Sequence, residues 1–444
     1  MKAKNKTIAM VEIAVVLCSM FLVAIPAIAT DQKQEMQKTT ANMIITASGD
    51  DYTLGVYGNA NEDDTIDMRD VTYTKLVIFG KKPETELADA YYDGEVDVLD
   101  VVQIKLIILG RESELTLVDT AERTVTVQKP LERIVAPHIH PVETLRSLKA
   151  SDTVVGVGYL IVEDTAFFPE FSDVASVGSP WTPDVEALLS LDPDVAILHT
   201  SLGGRFDTLD DVSDTCEAAG ITVLRLNFNQ PDIYLEETKK LGYIVDKEQE
   251  AEELIDWLEN ILNSIEEVVE EIPEEDKPKV YCEANDPYTS YSAYTYIDST
   301  GGVDIFSDAA GPVDAEDVLR QKPDIIVKLV WYLGGYHLDA GDTVELEEVR
   351  DEIMTRTGLQ TVKAVEEGEV YVMSTYIYGA FPNSGCRHFL QLAYQAKWFQ
   401  PTLFEDLDPK ALHQEYLTEF QGLDIDLDEK GVFVYHPELH PEGS

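Results

Sequence analysis

His138 and His140 stand two residues apart in the turn Pro137-His138-Ile139-His140-Pro141. Neutral imidazoles ligate transition metals directly, and otherwise they stack and hydrogen-bond like other polar aromatics. A different donor chemistry lies upstream. Asn59, Asn61, Asp63, Thr65, Asp67 and Asp70 are followed, at an offset of 30 residues, by Asp89, Asp93, Glu95, Asp97 and Asp100, with Tyr91 in the second place of the second copy. Oxygen side chains at loop positions 1, 3 and 5, a backbone carbonyl at 7, a water-linked group at 9 and a carboxylate at 12 wrap a hard cation such as calcium. Position 6 needs a sharp turn, which Gly94 supplies and Asp64 tolerates at some cost.

The elements that hold these residues follow from periodicity. Val118 to Val127 read as a hairpin around the polar turn Asp119 to Glu122, and Ile134-Val135-Ala136 is a short buried strand. Val142, Leu145 and Leu148 then share a helical face before a second apolar run at Val154 to Val157. Strand, helix, strand is a βαβ unit, and ligands of open parallel sheets sit beyond the carboxyl ends of the strands. The turn carrying His138 and His140 is such an end. Further strand ends occur at His199 after Val195 to Leu198 and at Asn227 after Thr222 to Leu226.

In each copy of the duplicated loop the twelfth position is Asp, no clear helix precedes the loop, and a helix follows that stops at Gly80 or Gly110. These features resemble a type I dockerin, the module that docks onto cohesin domains. The resemblance covers residues 53–113 and implies a small all-α, calcium-binding unit with a possible cohesin partner. Tyr91 in place of an oxygen ligand points to a weaker second site.

From residue 115 onward the chain resembles the helical-backbone, TroA-like solute-binding proteins of iron-complex (siderophore or haem) and cobalamin ABC importers. The residues that carry the likeness are Asp119, Arg123, Val125, Pro130, Arg133, Ile134, Val135, Pro137, Glu143 and Leu145. His138 and His140 are this chain's own. A helix closed by Pro and followed by a buried strand occurs twice, around Glu186 to Pro193 and Glu316 to Pro323, 130 residues apart. Two lobes of similar build follow. In the family resembled, acidic residues at these two places pair with arginines of the membrane permease, a role the likeness carries to Glu186 and Glu316. Between the lobes Ala251, Leu254, Ile255, Leu258, Ile261, Leu262, Ile265, Val268, Val269 and Ile272 keep a 3.6-residue period, a helix of roughly 40 Å. The family's rigid helical backbone implies little lobe closure.

The expected fold is therefore α/β: two Rossmann-like lobes, residues 115–245 and 277–440, joined by a backbone helix over 246–273, and preceded by the dockerin-like module. Residues 1–29, with Lys2, Lys4 and Lys6, an apolar run and Ala27-Ile28-Ala29, read as an export signal or an N-terminal anchor, and 30–52 as a polar linker. An extracytoplasmic location follows. Of the four cysteines only Cys216, Cys282 and Cys386 lie beyond that segment, too few for a disulfide framework.

With 84 acidic against 33 basic residues, the net charge of −51 repels phosphate backbones and speaks against nucleic acid. No activated-serine or metalloprotease motif occurs, and no carboxylate pair stands out from the general acidity as a glycosidase would require, so catalysis is not expected. The expected cleft gathers His138, His140, Tyr159, Trp181 and His199 from the first lobe, and Tyr288, Trp331, Tyr332, Tyr376 and Arg387 from the second. Aromatic walls suit a bulky planar or macrocyclic ligand, and the guanidinium suits a carboxylate or phosphate edge. A metal chelate or corrinoid is the first expectation. A directly ligated metal ion, with His199 and His337 or Glu283 as further ligands, is the second, and a cell-surface or scaffold role led by the dockerin-like module is the third.

Overall fold

The computed structural model describes residues 52–200, 208–229, 231–284, 286–291, 295–330, 340–374 and 385–439. The 1–29 segment and nearly all of the 30–52 linker fall outside these residues, as do Trp331, Tyr332, His337 and Tyr376.

Two loop-helix units come first, leading into α1 (Met68–Ile78) and α2 (Val98–Ile108). The ninth loop residue, Asp67 or Asp97, is the helix N-cap, and the twelfth, Asp70 or Asp100, returns its carboxylate to the cap's own N–H. These reciprocal boxes satisfy amide donors that a helix start leaves open. Gly94 takes φ +91°, but Asp64 is not among the positive-φ residues; the left-handed backbone falls instead on the fourth loop residue of each copy, Glu62 and Tyr92.

A hairpin follows, β1 (Glu114–Val118) paired antiparallel with β2 (Thr124–Gln128). The first lobe comprises β3 (Ile134–Ala136), α3 (Ile139–Ser147), β4 (Val154–Val157), α4 (Tyr159–Glu163), β5 (Ala175–Ser176), the small pair β6 (Gly178–Ser179) and β7 (Thr182–Pro183), α5 (Val185–Ser190), β8 (Val195–His199), α6 (Thr208–Ala218), β9 (Thr222–Leu226) and α7 (Pro231–Ile244). Its sheet runs β5-β4-β3-β8-β9, every pair parallel. Parallel strands need crossover helices on both faces, so their residues are apolar on both sides: β3 and β8 are buried along their whole length.

The bridging helix α8 (Glu248–Val269) buries Ala251, Leu254, Ile255, Leu258, Ile261, Leu262 and Ile265. It is about 33 Å long at 1.5 Å per residue, shorter than the apolar period suggested, because a turn at Glu270 and Glu271 leads into Pro273. The second lobe contains β10 (Lys279–Ala284), β11 (Thr289–Tyr291), β12 (Val303–Asp304), β13 (Ala310–Pro312), α9 (Ala315–Gln321), β14 (Ile325–Val330), α10 (Val344–Thr355), α11 (Lys363–Glu367), β15 (Val370–Ser374), α12 (His388–Phe399), α13 (Pro409–Glu415) and β16 (Val434–Tyr435). Its sheet order is β12-β10-β14-β15-β16, parallel except for the β16 edge.

One apolar cluster runs from Val56, Ile66 and Ile104 of the loop-helix units through Leu117, Leu145 and Leu258 to Val327, Phe389 and Trp398. Both lobes, the bridging helix and the loop-helix module thus share a core. The three cysteines of the described chain are free and buried.

Candidate functional site

The first lobe presents its chemistry at the carboxyl edge of its sheet. His138 follows β3 and caps α3, its Nδ1 accepting from the His140 N–H at 3.4 Å, which leaves its remaining proton on Nε2. Close backbone approach brings the neighbouring strand end in: a Cβ on Gly158, after β4, would stand 2.1 Å from the Pro137 carbonyl oxygen, so only glycine fits. His199 closes β8, and Trp181 is carried on the β6–β7 turn.

These four rings meet. His138 stacks on His199 with centroids 4.9 Å apart and planes 21° from parallel, and lies 5.0 Å from His140. Trp181 stands edge-on to His138 at 4.9 Å and to His199 at 5.4 Å. All three imidazoles are buried and Trp181 is half-buried. Burial, with the neighbouring His199 and His140 adding to it, holds His138 well below the usual imidazole range. The same burial, reinforced by His140 and the Arg225 guanidinium, pushes His199 down to about 3. Both rings are neutral at neutral pH, the state in which imidazole offers a lone pair and an aromatic face.

One turn along α3, Glu143 anchors the histidines to the rest of the molecule. Its Oε2 lies 3.8 Å from His140 Nδ1. Arg387 grips the carboxylate through Nε at 2.9 Å and Nη2 at 3.0 Å, and the Tyr416 hydroxyl donates to Oε1. Burial alone would raise the Glu143 carboxyl, but Arg387, His140 and Tyr416 together lower it to about 2. A Cβ on Gly385 would meet His140 Nδ1 at 2.7 Å, so this left-handed residue (φ +52°) lets the chain before α12 pass directly over the imidazole.

Arg387 is thus placed differently from the sequence expectation. It is buried, bound to Glu143 and set against the Phe167 ring at 5.0 Å, instead of standing open for an anionic ligand edge. Glu283 is likewise engaged, taking both nitrogens of Arg356 at 2.7 and 2.9 Å and Lys328 Nζ at 2.8 Å. Tyr288 packs half-buried beneath Arg356, 5.0 Å from the guanidinium. Tyr159 is exposed at the start of α4. Trp331, Tyr332 and Tyr376 lie outside the described residues. The Glu143–Arg387–Tyr416 unit was not singled out from sequence; an acidic residue three places after a histidine in an apolar helix was the available signal.

Glu186 and Glu316 occupy matching places, each exposed in the first turn of a short helix, α5 or α9, and each preceded by an aspartate N-cap, Asp184 or Asp314. Asp residues at such caps accept the free amides, and the following glutamates lie at the positive helix end.

In the first of the duplicated loops, Asn59 is fully buried and donates its Nδ2 to the Leu54 and Asp63 carbonyls at 2.9 and 2.5 Å, while its Oδ1 has no hydrogen-bond partner among the described residues. Asn61, at the third loop position, donates its Nδ2 to the Asp63 carboxylate at 2.7 Å. Burial pushes the Asp70 carboxyl up to about 6, against two backbone amide bonds and with Asp63 and Asp67 adding to the rise. In the second copy both Asp89 oxygens are taken by the amides of Asp93 and Gly94. Among the described residues no three His, Cys, Asp or Glu side chains converge as a metal cage. The first loop's donor set depends also on amide and carbonyl oxygens, and the orphaned Asn59 Oδ1 fits a hard cation.

The profile of the periplasmic binding protein family matches residues 134–376, more than half of the chain. The chain belongs to the periplasmic binding protein family. A cobalamin-binding protein of Halobacterium salinarum is 26% identical to this binding protein over 223 residues, 47% of this chain and 57% of the relative. The chain therefore spans little more than half the length of that curated relative. Among solved structures, the TroA-like periplasmic binding protein FepB from Veillonella parvula superposes with TM-score 0.61 and 24% identity, over 72% of this chain and 99% of that one. The molybdate periplasmic binding protein MolA of Haemophilus influenzae does so with TM-score 0.55 and 17% identity, over 70% of this chain and 99% of that one. The chain shares its fold with both of these solved structures, and the loop-helix module lies before the family match.

Proposed function

We propose that this protein is the extracytoplasmic receptor of an ABC importer, capturing an iron complex of the siderophore type or a corrinoid between its lobes and delivering it to the permease. The observation that carries the reading is the ring cluster of His138, His140, Trp181 and His199 at the strand ends of a periplasmic binding protein. Stacked neutral rings give a large, rigid, weakly hydrated surface that suits a planar or macrocyclic chelate. The curated relative that binds cobalamin supports the same ligand class. Members of the family work outside the cytoplasm with a membrane partner, and the exposed, matching Glu186 and Glu316 are the residues to which permease contact is assigned. A directly ligated metal ion is the second reading. The nearness of His140 and His199 to His138 favours it, whereas the face-to-face stacking of His138 on His199 turns ring planes, not nitrogens, toward each other, and among the described residues no three such side chains converge on one point. The test is tryptophan fluorescence and thermal shift of the full chain with ferric siderophores, haem, cobalamins and bare divalent ions. Stoichiometric quenching by a chelate supports the reading; a response to bare ions alone selects the second, and no response to any of them rejects both.

For residues 53–113 we propose a calcium-binding, dockerin-like role. Asn59, Asn61, Asp63, Thr65, Asp67 and Asp70 would hold the ion in the first loop, and Asp89, Asp93, Glu95, Asp97 and Asp100 in the second. The ion would supply the positive charge that the buried Asp70 and the unpartnered Asn59 oxygen lack. Val98 and Leu109, 64% exposed each, and Phe79, 73% exposed, offer an apolar face to a cohesin-type partner. Pull-down with cohesin domains, with and without chelator, tests that partner.

A further inference from the structure

The duplicated loops are alike in sequence and unlike in their surroundings. The second is open: Tyr91, Tyr92, Asp93, Gly94 and Glu95 are all exposed. The first is pressed against α7 of the binding lobe. Its eighth residue, Ile66, is buried in the shared core and donates its N–H to the Tyr243 hydroxyl at 3.2 Å. Its sixth, Asp64, pairs with Lys239 Nζ at 3.4 Å. Lys239 and Tyr243 lie one turn apart on one face of α7, and both are buried. Just before the loop, backbone bonds stitch the module to the hairpin: Val118 N–H donates to Gly55 at 2.7 Å and Tyr57 N–H to Thr116 at 2.9 Å.

We propose that a divalent cation in the first loop acts as a structural ligand of the binding lobes, holding Asp64 and Ile66 against Lys239 and Tyr243, while the exposed second loop contributes less to them. The inference rests on the calcium reading of the loops. A cation that fixes the first loop fixes its sixth and eighth residues, and these are the ones that meet α7. The loop's apolar residues belong to the same cluster as Leu117, Tyr243 and Ile244, so loosening the loop opens the lobe's own core. A ligand that binds only the folded state then stabilises every element that unfolds with it. The charge balance points the same way: Lys239 faces Asp64 and, at 3.3 Å, Glu252 of α8, so it cannot by itself neutralise the acidic loop behind Asp64.

The chain carries its own reporter, because the tryptophans are Trp181, Trp257, Trp331 and Trp398, none of them within residues 53–113. Urea unfolding of the full chain followed at tryptophan therefore reads the lobes, while calorimetric titration with calcium reads the loops. Expected are a wild-type midpoint that rises with calcium, each tenfold excess over the dissociation constant multiplying the folded-to-unfolded ratio by roughly ten, and most of that rise retained in Asp93→Ala. Asp63→Ala should lose the rise. Tyr243→Phe should still take up calcium but transmit a smaller shift, and it carries the test should Asp63→Ala fail to fold. Calcium uptake with an unmoved tryptophan transition, or an equal shift in Tyr243→Phe, overturns the coupling and leaves the calcium reading standing. Absence of any calcium uptake overturns both.

Discussion

Glu143 and Arg387, 244 residues apart in sequence, form a two-point ion pair that ties the helix after the first strand of one lobe to the chain leaving the last long strand of the other. Both side chains are buried, and Tyr416 and Gln421 close the surroundings: Gln421 Nε2 donates to Ser147 Oγ at 2.6 Å, and Arg146 Nε to Gln421 Oε1 at 2.7 Å. Removing one member of such a pair strands a charge in a dry site. Arg387→Met alone should cost about 3–5 kcal/mol in urea unfolding, and adding Glu143→Leu should restore much of it. A single replacement that is neutral would show that the pair contributes nothing to the union of the lobes.

Acid should weaken the protein in two stages. The lowered imidazoles of His138 and His199 contribute stability that is fully present above the unfolded histidine range near 6.5 and is lost as pH falls below it, for His199 toward about 3, since the unfolded chain takes up protons first. The lowered Glu143 carboxyl contributes stability above about 4.5 that is lost as pH falls toward about 2. Urea midpoints at pH 7, 5.5 and 4 should decline stepwise, and His199→Gln should reduce the step between pH 7 and 5.5, to which the buried His138, His388 and His413 also contribute. An unchanged first step in that variant would count against the buried neutral state of His199.

Trp181 is the only described tryptophan among the clustered imidazoles. Trp181→Leu should abolish most ligand-induced quenching and weaken binding roughly tenfold, about the worth of one lost aromatic stack. His138→Ala should weaken binding at least as much. Fluorescence titration with the chelate that responds in the wild type measures both.

Charge reversal at Glu186 and Glu316 separates capture from delivery. Both side chains are exposed in a first helical turn, so Glu186→Lys and Glu316→Lys should each cost no more than about 1–2 kcal/mol and leave ligand affinity unchanged. Uptake through the reconstituted permease should fall steeply. Retained uptake in the double variant would remove these residues from the permease contact.

Local periodicity carried much of this structure. The short runs at Ile134, Val154, Val195 and Thr222 all became parallel strands, because each is a short, mostly apolar run. Their ends then fixed where His138 and His199 had to lie, and Trp181 reached both from the β6–β7 turn. What stayed hidden was pairing over distance. No local pattern marks Arg387 as the partner of Glu143 or Tyr243 as the partner of Ile66, since each contact depends on how separate layers settle together. The same limit explains Asp64: loop position suggested a left-handed residue, while contact with Lys239 lies in the tertiary setting.

The bridging helix α8 has a last consequence. A continuous helix cannot hinge at its middle without breaking its own hydrogen bonds, and α8 is uninterrupted from Glu248 to Val269. With Glu143 and Arg387 pinning the lobes beside it, the spacing between them is set before any ligand arrives. If the proposed cargo is right, discrimination between a compact chelate and a broad macrocycle would be a matter of calibre, decided by the side chains that face it and not by how far the lobes swing.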